Sequence, residues 1–189
     1  MKTPVRSHGP LRLIAAALFA TTAIASTAIA TTALSPVYAD INVRFSEGAP
    51  KDRFSFKNDS ACDLTDLSIE IDLSASSARL IFDTTGEGAG VEVFQPFEKV
   101  NGEFELAGQV TDGQQQLTLQ IERFAAGETI SFTIDVDDTL TASELGNIRV
   151  SSSEMQGSEV SLKGSNGEVV TGTFGTDNTS RLKVDTCLN

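Results

Sequence analysis

The chain has 189 residues, with 14 Lys and Arg against 26 Asp and Glu, one His, one Tyr and no Trp. His8 and Tyr38 both precede Asp40, so the following 150 residues lack the usual general base, the commonest transition-metal ligand and the rings that stack best on sugars. Histidine-dependent catalysis and zinc chemistry are disfavoured, and a net charge of −15 over residues 40–189 argues against nucleic acid or an anionic membrane as partner.

The first element is a leader. Lys2, Arg6, His8 and Arg12 lead into an apolar run over 13–30, and Val37-Tyr38-Ala39 spells a signal-peptidase site. An uncleaved anchor is the competing reading, because the run nearly reaches bilayer-spanning length. Threonine dilutes its second half, and the cleavage site is well formed, so residues 1–39 read as a removed signal. Residues 40–189 are then one exported domain, periplasmic or secreted, with no membrane span once the signal is gone.

Period-two alternation follows along the rest of the chain. Phe54 and Phe56 alternate with Ser55 and Lys57; Leu67, Ile69, Ile71 and Leu73 with Ser68, Glu70 and Asp72. Leu117, Leu119 and Ile121, then Ile130, Phe132, Ile134 and Val136, repeat the pattern. Further strands are expected at 41–45, 79–82, 90–97, 103–110, 147–151, 159–163, 168–174 and 181–186. Ser165-Asn166-Gly167 is a hairpin turn, since Asn-Gly takes positive φ readily. The one helical signal is the capping-box spelling Thr141-Ala142-Ser143-Glu144, enough for a single turn. This pattern predicts an all-β fold, a two-sheet antiparallel β-sandwich of jelly-roll or immunoglobulin-like type, with a closed β-barrel as the alternative. Two cysteines in an exported chain read as one disulfide, Cys62 to Cys187. Closing a loop of about 125 residues, it would add on the order of 4–5 kcal/mol at most.

Any site must be built from carboxylates, carbonyls, hydroxyls and phenylalanine. The densest acidic stretch is Asp135-Val136-Asp137-Asp138, followed by Glu144. In a strand, Asp135 and Asp137 share the outer face while Ile134 and Val136 point inward. Asp135, Asp137, Asp138 and Glu144 are therefore candidate ligands for Ca²⁺, which takes six to eight oxygens. The spacing is not that of an EF-hand. The competing reading is a solvated strand face with Asp138 in a turn. Asp83-Thr84-Thr85-Gly86-Glu87-Gly88-Ala89-Gly90 is a glycine-rich loop, but it leads into an expected strand and carries no lysine, so it is not a phosphate cradle. Its Asp83 and Glu87, with Glu92, form a second, weaker cation candidate. Catalytic and cofactor-binding residues are not expected. A pair of carboxylates could hydrolyse glycosides, but only phenylalanine is there to form a sugar platform.

Several stretches carry a family resemblance: GAPKDRFSFKN (48–58), SIEIDLS (68–74), LIFDTTGEGAGVEVFQPFE (80–98), FTIDVDDT (132–139) and SELGNIRVSSSE (143–154). They resemble exported bacterial proteins labelled "aggregation factor core protein", a label borrowed from sponge cell-aggregation factors. The resemblance implies an exported β-rich domain and calcium-dependent adhesion. The resulting expectation is a non-catalytic interaction or matrix protein that meets a protein or cell-surface partner. A periplasmic cation- or small-ligand-binding protein is the alternative.

Overall fold

The computed structural model describes residues 39–184. The expected export signal lies outside them except for Ala39, the first residue of β1, and so does Cys187, the expected partner of Cys62. No helix among the described residues is long and apolar enough to cross a membrane.

Two five-stranded antiparallel sheets face each other. The first runs β12 (Thr179–Val184), β1 (Ala39–Ser46), β2 (Arg53–Asn58), β8 (Thr129–Thr133), β5 (Glu98–Asn101). The second runs β11 (Val169–Thr173), β10 (Glu159–Lys163), β3 (Leu64–Asp72), β7 (Gln116–Phe124), β6 (Glu105–Leu106). Neither closes into a barrel, so the fold is the expected β-sandwich. The alternating residues do what their period requires: Phe54, Phe56, Ile130 and Phe132 from one sheet meet Ile69, Ile71, Leu117 and Leu119 from the other in one fully buried core. Phe132 is its hub, with ring centroids 4.8 Å from Phe97 and 5.3 Å from Phe54. In β3 the register with β7 skips Asp66, which sits at φ 51°. The two strands keep the same register on either side of it, and this local break in pairing accompanies the burial of both Leu64 and Leu67 despite their three-residue spacing, matched across the ladder by buried Phe124 and Ile121. The Ser165-Asn166-Gly167 turn joins β10 to β11 with Gly167 at φ 83°.

Several expected elements differ. The segment 90–97 is a loop, 147–151 forms no strand, and of 103–110 only β6 pairs. The expected helical turn at 141–146 is absent, because those residues have no buried face. The short helix α1 (Ser152–Met155) forms instead, capped reciprocally by Ser151 and Glu154 and anchored by buried Met155.

Past Ile134 the chain leaves the first sheet and forms β9 (Asp135–Asp137), which pairs only with β4 (Ile81–Asp83). This two-stranded ribbon carries the candidate site.

A buried carboxylate cluster as candidate metal centre

The register of the ribbon explains the site. Asp83 lies opposite Asp135, and Phe82 lies opposite Val136. Phe82 and Val136 therefore share one face, which joins the core, and Asp83, Asp135 and Asp137 share the other. One carboxylate oxygen from each of the three lies within 4.8 Å of the others. That spacing matches oxygens on opposite sides of one Ca²⁺, at roughly twice the usual Ca–O distance of about 2.4 Å.

The expectation that Asp135 and Asp137 face solvent is not met: both, like Asp83, are 0% exposed. Chain segments cover both edges of β9. On one side Asp52, also 0% exposed, accepts from the Val136 amide at 2.9 Å and the Gly48 amide at 2.8 Å. On the other, the Asp135 amide donates to the Gln95 carbonyl at 2.9 Å. The glycine-rich loop closes over the carboxylates themselves. The Val91 amide donates to both Asp83 Oδ2 (3.0 Å) and Asp137 Oδ2 (2.9 Å). The Thr84 and Ala89 amides donate to Asp112 at 3.1 and 2.6 Å. A side chain at Gly90 would collide with the Asp83 carboxylate and come within 2.7 Å of Asp137 Oδ2, and one at Gly88 would overlap Asp112. The glycines thus let backbone approach carboxylate.

Both oxygens of Asp135, and one each of Asp83, Asp137 and Asp138, have no hydrogen-bond partner. No ion pair among the described residues reaches the cluster. Unpaired buried carboxylates are costly, and their titration reflects it. Burial, then repulsion from Asp137, Asp52 and Asp83, pushes Asp135 up to about 9. Burial raises Asp52 to about 8 against its two amide donors. Burial and contact with Asp112 and Asp137 raise Asp83 to about 7. Asp137 is raised too, by burial opposed by the Val91 amide. Asp112 is held low because its amide donors from the loop outweigh its partial burial.

Asp138 sits at the margin of the cluster. Its Oδ1 accepts from the Leu140 amide (2.9 Å) and Asn147 Nδ2 (3.1 Å), and it lines a groove of about 320 Å³ with Gly90, Val91 and Asn147. Glu144 is not part of the site. It is exposed, and its Oε2 accepts from Ser151 Oγ (2.9 Å) and Ser153 Oγ (2.6 Å), which hold its pKa low. Glu87 and Glu92 are exposed and do not join Asp83. The cluster therefore unites halves of the two acidic stretches, and it adds Asp52 and Asp112, which sequence reasoning missed. Asp112 precedes Gly113, so only a turn spelling marked it; nothing local marked Asp52.

Chemically the site is hard and anionic, with oxygen donors alone. It suits calcium better than magnesium, which keeps its waters, and it lacks the nitrogen and sulfur ligands of zinc. No protein family, curated protein or solved structure matches this chain.

Proposed function

We propose that this protein is an exported, acidic, non-catalytic interaction protein whose β-sandwich is completed by a calcium ion held by Asp83, Asp135 and Asp137. Cell adhesion or a matrix role is the specific form, as the resemblance to aggregation factor core proteins implies. The observation that carries the cation is the set of unpartnered carboxylate oxygens at 0% exposure, which no ion pair among the described residues reaches. Evolution commonly leaves buried charges unpaired only where a metal or a proton compensates them. The Cys62–Cys187 bridge belongs to the same reading of an exported chain, and mass spectrometry with and without reductant tests it.

Calorimetric titration with Ca²⁺ is the direct experiment. One site is expected, stronger for Ca²⁺ than for Mg²⁺ and lost in Asp137→Asn. Absence of heat, together with an unchanged melting temperature in millimolar Ca²⁺, would sink the proposal. The adhesive role is read separately: deleting the gene should reduce calcium-dependent clumping of the cells that make the protein, and unchanged clumping would count against it.

A further inference from the structure

The outer faces of the two sheets carry opposite charge. Both inner faces share one core, so the outer faces point away from each other. On the first sheet, alternation turns Arg44, Arg53, Lys57, Arg181 and Lys183 outward. These are five of the 11 cations that follow position 39, gathered on three adjacent strands. Three acidic residues at its margin are already engaged, Asp40 with Arg181 (3.6 Å), Asp59 with Lys57 (2.5 Å) and Glu98 with Lys51 (3.1 Å), while Asp177 lies near Arg44 without pairing to it. Arg44, Arg53 and Lys183 make no ion pair among the described residues. On the second sheet the outward residues include Glu70, Asp72, Glu122 and Glu159, with Lys163 the one cation opposing them that is not in an ion pair among the described residues. Between the charges both faces present short hydroxyl and amide side chains: Asn42 and Ser55 on one, Ser68, Thr118 and Ser161 on the other.

We infer that the basic face of one molecule docks on the acidic face of a second copy. The contact is heterologous, so it propagates as an open stack and does not close at a dimer. Each face measures roughly 24 by 20 Å from strand spacing and rise, about 500 Å². Two such faces bury about 1,000 Å², the lower limit for a specific interface, so single contacts are weak and their effect comes from arrays. The overall negative charge opposes association at long range. At about 0.15 M salt that field decays within about 8 Å, while charges on apposed faces meet at contact. This inference names the partner for the interaction role proposed above and does not use the cation cluster.

Sedimentation velocity of the purified protein in EDTA tests it. In about 0.15 M salt the weight-average mass should rise with concentration into the high micromolar range, and return to the monomer value in about 1 M salt. Arg44→Glu with Arg53→Glu on one face, or Glu70→Lys with Glu159→Lys on the other, should each abolish the rise. Mixing the two double variants should restore mixed complexes, which simple repulsion from the added negative charge would not produce. A monomeric mass at all concentrations, or variants that associate like the parent, or mixtures that stay monomeric, would overturn the inference. So would association of the basic face with a soluble polyanion while self-association is absent. Because EDTA is present throughout, a negative result here leaves the calcium titration untouched, and a failed calcium titration leaves this result untouched.

Discussion

Asp135→Asn separates the two costs built into the cluster. In the cation-free fold Asp135 keeps its proton up to about pH 9, whereas in the unfolded chain it ionises near 3.8. A raised carboxyl pKa stabilises the fold only at low pH; the contribution drains away as pH rises from the unfolded to the folded value. At about pH 7 roughly three pH units of that interval have been crossed, at about 1.4 kcal/mol each, or about 4 kcal/mol. Neighbouring carboxylates relax when one is neutralised, so about 2–4 kcal/mol is the expected net effect. Asparagine has the same shape and no proton to hold, and its amide can donate to the unpartnered oxygens of Asp83 and Asp137. In EDTA at about pH 7 the variant should therefore melt roughly 5–15 °C above the parent, for a domain of this size. The gap should close at about pH 3, where Asp135 is largely protonated in both states. Calcium should also close the gap, because the parent gains about 2.7 kcal/mol at a hundredfold excess over Kd and about 4.1 kcal/mol at a thousandfold excess, while the variant gains nothing. Differential scanning fluorimetry across pH, with EDTA or Ca²⁺, reads all of this. A variant that melts below the parent in EDTA by the same margin at every pH would refute the reasoning, since it would make Asp135 an ordinary packing residue.

Gly90→Ala should lower calcium affinity at least tenfold by calorimetry, because a methyl group there collides with the Asp83 carboxylate and displaces the Val91 amide. Glu144→Gln should leave affinity within twofold, since its carboxylate is bound to Ser151 and Ser153 away from the cluster. Calcium should slow cleavage at Glu87 and Glu92 by a glutamyl endoprotease, because the loop is held by amides donated to ionised Asp83, Asp112 and Asp137; equal rates with EDTA would count against that coupling. Phe132→Ala should cost about 3–5 kcal/mol in urea denaturation, with or without calcium, because it empties the centre of the phenylalanine cluster.

Strand alternation was legible wherever a strand has one wet face. Leu67 to Leu73 and Leu117 to Ile121 point as their period demands, because each lies in a sheet with solvent on its outer side; Ile130 to Ile134 do too, although the outward Ser131 and Thr133 are themselves buried. The same rule misplaced Asp135 and Asp137. A carboxylate's preference for water makes "outward" mean "exposed" only if nothing covers that side, and the cover here comes from afar: Asp52 precedes β2, and the loop follows β4. Glycine-rich spelling in that loop marked conformational freedom but not its use, since Gly88 and Gly90 serve close approach to carboxylates and not a phosphate. The pairing of Asp83 with Asp135 has no local signal either, because register between distant strands is set by the core residues Phe82 and Val136 on the opposite face. This coupling has a consequence for substitution. Any change at Phe82 or Val136 that slips the ribbon by one residue would exchange the two faces, sending the carboxylates into the core and the apolar pair toward the loop. The cation site is thus as sensitive to packing on the far side of the ribbon as to its own ligands.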